Sequence, residues 1–342
     1  MSKILRERPS YYDKFLCVGD TTCIDTCCRA WVLPMDKETA ESYLKEKGEF
    51  GEYLRSNIYE EKGEWFIKLD EKHYCSFYNS DRLCTVRLKA GEKAQIKICD
   101  IYPREREIMA GFYRLDRLLM ACSEVARLLY TDTEERLEFV QEWVEDDSQP
   151  QVSPELKKRV EQLLAFRDGL VESLQSGAFD KRLFEAYDTA EEIEKILDDA
   201  IYFKEHEVCE ALIASARKIL PRLDELRKEF YEKVKDAGFW MRRSAAYFAH
   251  RMLLDAIQDG GVEGPLLSVF RNTHILELLC LARFSEKGAF ELEDMVFCAH
   301  YFGLTFEISM HNINLFKTIR NKARDAEYPD GENSELRPFL YP

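Results

Sequence analysis

Thiol side chains dominate the chemistry this sequence could perform. Eleven cysteines stand among 342 residues, and eight of them lie within the first 122 positions. One group reads Cys17-x5-Cys23-x3-Cys27-Cys28 and another Cys75-x8-Cys84-x14-Cys99, with Cys122 after them. Where thiols are kept reduced, cysteines clustered in this way serve as metal ligands or redox groups. Thiolates suit Zn(II) or an iron–sulfur cluster, because both take soft sulfur ligands. A four-ligand centre could be assembled from the two groups once the chain folds. The side chains of adjacent Cys27 and Cys28 diverge, so one could bind a metal while the other bridges, packs or serves a second site. Eight thiols exceed what one tetrahedral zinc or one four-iron cluster uses. Spacing alone leaves a metal centre, redox thiols and chance clustering as alternatives. His73, two residues before Cys75, is either an additional ligand or a surface histidine on a loop. Cys209, Cys280 and Cys298 stand singly in apolar helical stretches, where a free thiol packs as a small hydrophobe.

Short mixed elements must hold the front thiols. Asp36 is placed to cap a helix running to near Lys47, with Glu38 and Thr39 in its first turn. Glu64 to Leu69 alternates around Trp65, Phe66 and Ile67 and reads as a strand. Cys84–Leu88 and Ala94–Ile98 read as two more strands, with Gly91 in the turn between them. Asp116–Tyr130 has helical spacing, with Leu119, Cys122, Ala126 and Leu129 on one face. The stretch from Glu145 to Pro154 is polar, contains two prolines and reads as a linker. Helical periodicity follows it over 154–176, 181–203, 205–220, 221–237, 240–259, 265–284 and 292–326, the last with a break near Gly303. Pro221 fits the first turn of its helix. The expected fold is mainly α: a cysteine-rich α+β metal-binding module over 1–130, a helical bundle over 150–326 and an irregular tail over 327–342.

Composition narrows the function classes. The chain is 46% apolar and 33% charged, enough apolar material for a core. The net charge of -15 argues against a general nucleic-acid binder, which needs a basic face. The acidity belongs to residues 131–237, where both signs mix as on a solvated helix face. No apolar run reaches the ~20 residues of a membrane helix, and the opening MSKILRERPSYYDKFLC lacks a signal-peptide pattern. The expected location is the cytoplasm, without nucleic-acid partners and without a membrane span.

The run FLCVGDTTCIDTCCRAWVLPMDKETAESYL, then YCSFYNSDRLCTVRL, ICDIYPRE and MACSEVARLL, resembles the flagellin lysine-N-methylase family. Its front part is also similar to the cysteine-cluster family described as zinc- or iron-chelating. The residues that carry the resemblance are Cys17, Cys23, Cys27, Cys28, Trp31, Asp36, Lys37, Thr39, Cys75, Phe77, Leu83, Cys84, Cys99, Tyr102, Pro103, Arg104, Cys122, Glu124, Ala126, Arg127 and Leu128. Ser123 departs from a family proline, and Thr85-Val86-Arg87 from a more usual Lys-Ile-Gln. Neither departure touches a cysteine. The resemblance covers residues 9–130 and implies methyl transfer from S-adenosylmethionine to lysines of flagellin or another protein substrate. It also implies an iron–sulfur cluster of the 4Fe-4S kind on the N-terminal cysteines, with zinc as the alternative.

The residues constrain how such an activity could work. The chain has no Gly-rich strand–loop–helix fingerprint for a Rossmann methyltransferase. The three-cysteine x3-x2 spacing of radical enzymes that use S-adenosylmethionine is also missing, so a donor site would be of another type. Lysine methylation needs a deprotonated amine, an in-line methyl donor and a dry pocket. Tyr102, Arg104 and Asp36 flank the cysteine blocks and are the candidates for shaping that pocket. Each has a structural alternative: a packed turn aromatic, an ion pair and a helix cap. Tyr247, His250, His300 and His311 lie on apolar helical stretches and read as core or surface residues. A second reading makes the front module a non-catalytic metal-binding or redox unit, with the helices as a protein-docking scaffold.

Overall fold

The computed structural model describes residues 3–17, 23–24, 27–29, 33–109, 111–131, 136–145, 153–176, 197, 207–259 and 261–307. The expected helix over 181–203 apart from residue 197, the stretch beyond 307, the tail over 327–342, Trp31 and His311 lie outside them. The chain is mainly helical and divides into two compact units. One comprises Leu16–Glu105 together with Cys122–Glu124. The other comprises Met1–Phe15, Arg106–Ala121 and Val125–Pro342. The parting therefore differs from the expected boundary at residues 130–150. The cysteine-bearing segment is an insertion into a unit whose first strand precedes it.

That first strand, β1 (Lys3–Pro9), explains the arrangement. It pairs in parallel with β6 (Tyr113–Leu118), Leu5 opposite Tyr113, and antiparallel with β7 (Phe139–Glu145), Leu5 opposite Trp143. With β5 (Arg104–Met109) the sheet order is β5-β6-β1-β7. A parallel pair needs a long crossover, and the segment that carries the cysteines is that crossover. The expected helix from Asp116 is corrected: Asp116 and Arg117 lie in β6, and the helix α5 runs only Ser123–Thr131. Buried charge hid this strand. Asp116 is fully buried and takes ion pairs at 2.7 Å from both Arg6 and Arg114, a cross-strand arrangement that alternation in hydrophobicity does not show.

The long helices follow the sequence pattern closely. α6 (Pro154–Gln175) starts where Ser153 accepts the Leu156 amide at 3.1 Å and Pro154 occupies the first turn. Its Val160, Leu163 and Leu164 pack on Met109, Tyr113 and Leu115 of the sheet. α7 (Glu207–Ile219), α8 (Leu223–Lys233), α9 (Ala237–Met252), α10 (Glu263–Lys287) and α11 (Leu292–Phe302) complete the described bundle. Pro221 sits in a 3-10 turn that leads into α8. α10 is stopped by Gly288, whose φ of 71° is left-handed. Cys209, Cys280 and Cys298 are buried in helices, as their apolar surroundings suggested. Among the described residues no helix is long and apolar enough to cross a membrane.

Two buried carboxylates tie the sheet to the helices. Glu7 of β1 is fully buried and meets Arg167 of α6 at 2.7 Å, Gln141 of β7 at 2.6 Å and Nε2 of His250 of α9 at 2.9 Å. An ionised carboxylate only accepts, so His250 Nε2 must carry the proton. Burial opposes the charge on Glu7, but His250 and Arg167 outweigh it and hold this carboxyl well below its usual range. Burial pushes His250 down to about 4 despite its bond to Glu7. Further along, Glu307 accepts from Tyr247 and from the Ala121 amide at 3.2 Å, while the Tyr247 hydroxyl donates to a carboxylate and accepts the Met120 amide at 3.2 Å. A π-turn over Gly303–Glu307 continues α11 and delivers that carboxylate. Gly303 is the expected break, and it allows a close approach: a Cβ there would stand 2.3 Å from the Ala121 nitrogen.

Two outcomes follow from these contacts. Between pH 6.5 and 4 the unfolded chain protonates His250 while the folded one does not, so stability is complete above that window and falls on acidification. The His250 share is on the order of 3 kcal/mol, and Glu7 adds its own loss at still lower pH. Urea midpoints measured across this range should fall for the native chain and flatten for His250→Gln. Gly303→Ala should cost about 1–3 kcal/mol by overpacking, read as a lower melting temperature.

Candidate metal centre

The inserted unit is built on a small antiparallel sheet and two helices. β2 (Leu33–Met35) pairs with β4 (Glu64–Ile67), which pairs with β3 (Ile58–Glu61). The expected strand at Glu64 is β4. The turn joining β3 to β4 uses Lys62 and Gly63, both at positive φ. α1 (Lys37–Lys45) starts at Asp36 as the sequence implied, and α2 (Gly48–Ser56) follows. The two remaining expected strands are corrected: Cys84–Leu88 enters the helix α3 (Thr85–Ala90), and Ala94–Ile98 ends in α4 (Lys97–Ile101) after a 3-10 turn. Segments this short carry too few residues for periodicity to separate helix from strand. Gly91, assigned to the turn between them, is the C-cap of α3 at φ 83°.

Each cysteine is placed by a distinct local device. Cys27 and Cys28 lie in a turn that runs into Arg29, which bridges Tyr74. The Cys75 amide donates to the Cys28 carbonyl at 2.6 Å, so the two sequence groups meet backbone to backbone. Arg29 lies over the Tyr74 ring at 5.1 Å, and Tyr74 stacks on Tyr78. Cys84 bridges Tyr78 and occupies the N-cap of α3. The loop before it is shaped by Asn79, whose side chain accepts the Asp81 and Leu83 amides at 3.0 Å. Arg82 reaches from this loop to the Cys23 carbonyl at 3.0 Å. Cys99 lies on α4. Cys17 is exposed and receives the Arg87 guanidinium at 3.8 Å. Cys122 directly precedes α5 and belongs to this unit. His73 is exposed on a turn closed by its amide on the Asp70 carbonyl at 3.0 Å.

The thiols feel one another. Burial pushes Cys75 up to about 12, and the neighbouring Cys28 and Cys84 add to it. Cys99 is raised further, first by burial and then by Cys28, Cys75 and Cys84. Cys84 is raised by burial and by Cys28. Cys27 is raised first by its hydrogen bond with Cys28 and then by burial, with Cys28, Cys99 and Cys122 adding to it. Acting the other way, backbone N–H groups of Phe77 and Tyr78 favour a thiolate at Cys75, and those of Arg87 and Val86 at Cys84. Gln95 also approaches the Cys84 sulfur at 3.9 Å. Thiols that crowd together with amides turned towards them are what a soft cation converts to thiolates. The donor chemistry therefore fits zinc or an iron–sulfur cluster. Among the described residues, no three His, Cys, Asp or Glu side chains already stand at the spacing that holds a metal ion. Thiol sites commonly close on binding, because metal affinity and folding are coupled.

The other candidates flank the cysteine blocks in sequence. Asp36 accepts the Thr39 amide and hydroxyl at 2.9 Å and the Lys97 amide at 3.3 Å. Burial opposes its charge, yet the Thr39 bonds hold it below the usual carboxylate range. It therefore caps α1 and at the same time fixes the start of α4, which carries Cys99. Tyr102 is the C-cap of α4, its amide on the Ile98 carbonyl at 2.9 Å, and a cis peptide joins it to Pro103. Arg104 opens β5. Both are half-buried on the segment that leaves Cys99. Sequence reasoning passed over the polar centres of the helical unit. Glu7 was not among the candidates; the strand that buries it is the signal that could have found it. Tyr247 and His250, read as core or surface residues, are buried, each hydrogen-bonded to a carboxylate. His300 is buried as well. Asp36→Ala should cost about 1 kcal/mol by loss of the cap, seen in thermal melts.

Known proteins resemble part of the chain. Over 144 residues it is 30% identical to the flagellar biosynthetic protein FliU of Salmonella muenchen, a match spanning 39% of this chain and 80% of that protein. Over 138 residues it is 29% identical to the lysine-N-methylase of Salmonella typhimurium strain LT2. The lysine-N-methylase of Salmonella choleraesuis strain SC-B67 matches to the same extent. These two matches span 39% of this chain and only 34% of each relative. No protein-family model matches the chain, and no solved structure matches it significantly.

Proposed function

The chain belongs to the family of the flagellar protein FliU and the lysine-N-methylases, and we propose that it is a protein-lysine N-methyltransferase. The donor would be S-adenosylmethionine and the acceptor the lysine side chains of flagellin or another protein. The observation that carries this reading is the kinship to lysine-N-methylases in a chain whose front cysteines gather in one unit. That unit would hold a thiolate-ligated centre, an iron–sulfur cluster in the first instance and zinc otherwise. When bound, such a centre supplies a positive charge that keeps the thiols ionised and a rigid crosslink among short loops.

The protein's own part in methyl transfer is to strip the acceptor amine of its proton and water and to aim it. A lysine ammonium loses its proton more readily when it is desolvated or placed beside a cation. Arg104 and the ring of Tyr102, half-buried and close to Cys99 in sequence, are suited to that task. The Asp36 oxygens are engaged by Thr39 and Lys97, which leaves this carboxylate a positioning part through α4.

The test is a methyl-transfer assay on protein purified without oxygen, with flagellin as acceptor and isotope-labelled S-adenosylmethionine as donor, read by mass spectrometry of lysine peptides. Label on flagellin lysines is expected, with a loss of at least tenfold in Arg104→Ala and Tyr102→Phe at unchanged metal content. Absence of transfer by metal-loaded protein would count against the methylase reading. It would favour a non-catalytic metal or redox module.

A further inference from the structure

The eight front thiols are not equivalent, and the structure separates them. We propose that Cys28, Cys75, Cys84 and Cys99 are the ligands of a single metal centre and that Cys17, Cys23, Cys27 and Cys122 lie outside its ligand set. This assignment rests on the metal-binding part of the proposal above and not on methyl transfer.

Packing is the first argument. Cys75 is part of the apolar core of the inserted unit, and Cys28, Cys84 and Cys99 pack against that same core. None of the other four front cysteines does. The core residues around them include Tyr43, Phe77, Val86 and Ile96, so the four cysteines border one apolar core, a setting that favours thiolate–metal bonds once they close on an ion.

Backbone ties are the second. The Cys28 carbonyl takes the Cys75 amide at 2.6 Å. Two residues on, the Phe77 carbonyl takes the Thr85 amide at 2.8 Å, and Tyr78 bridges Cys84. The segment that leads to Cys99 is anchored by the Tyr43 hydroxyl on the Ala94 carbonyl at 2.6 Å and by Asp36 on the Lys97 amide. Four segments are thus fixed to one another, and each supplies one thiol.

Chain geometry is the third. No two members of the quartet are adjacent, so all four side chains can converge on one point. The Cys27 thiol is hydrogen-bonded to that of Cys28, and the assignment makes it a neighbour of a ligand sulfur rather than a ligand. Cys17 is exposed and already faces the Arg87 guanidinium.

The experiment uses the full chain purified without oxygen. Iron, zinc and acid-labile sulfide are counted, and absorption and electron-paramagnetic-resonance spectra are recorded. The wild-type chain is compared with Cys17→Ser, Cys23→Ser, Cys27→Ser and Cys122→Ser, and with Cys84→Ser and Cys75→Ser. The first four should keep the metal of one centre with an unchanged spectrum. Cys84→Ser should lose at least tenfold of that metal. It is the decisive variant, because serine is a better N-cap for α3 than cysteine, and its far-ultraviolet circular dichroism should match the wild type. Loss of the spectrum in Cys17→Ser, Cys23→Ser, Cys27→Ser or Cys122→Ser overturns the assignment, as does full metal retention in a folded Cys84→Ser. A wild-type chain that binds neither iron nor zinc overturns the metal reading itself, whatever the outcome of the methyl-transfer assay.

Discussion

Sulfur atoms gathered in a protein interior oppose one another's ionisation, and the inserted unit is arranged around that constraint. Cys75 and Cys99 are raised by burial and by the thiols beside them, while backbone amides at Cys75 and Cys84 pull towards the thiolate. A hydrophobic core alone does not call for four thiols at its edge. Their placement makes sense as a set of donors that a soft cation completes. The small sheet, the Asn79 turn and the Asp36 cap then acquire a common purpose, since each fixes one of the short segments that bear a sulfur.

The helical unit solves a similar problem with carboxylates. Glu7 and Glu307 are buried, and an isolated charge in such a place is costly. Glu7 is matched by Arg167, His250 and Gln141. Glu307 is matched by Tyr247 and the Ala121 amide. These pairings join β1 to α6 and α9, and the turn after β6 to the end of α11. They hold the strands on either side of the insertion to one helical scaffold. Removing one partner from such a set leaves a buried charge unmatched, which is strongly destabilising.

Amphipathic helices were the most legible part of the sequence. Ser153-Pro154 and Gly288 mark helix ends by local chemistry that any neighbour would respect. The Asp36 cap was legible for the same reason. β1 and β6 were not, because Glu7, Asp116 and Arg117 are charged residues at buried positions and break the pattern that marks a strand. The short helices α3 and α4 were misread as strands, since five or six residues do not express a period. Their conformation comes from what they pack against.

By itself, then, the sequence determined which residues could do chemistry and where long helices occur. Residue type and local spacing suffice for both, because capping, helical periodicity and sulfur's affinity for soft metals act at short range. Only the tertiary structure decided that the cysteine segment is inserted between β1 and the rest of its sheet. Only it packed Cys28, Cys75, Cys84 and Cys99 against one core, and only it paired Glu7 with residues more than a hundred positions away. Those outcomes depend on contacts between distant segments, whose partners are fixed when the chain closes and leave no periodic trace in its linear order.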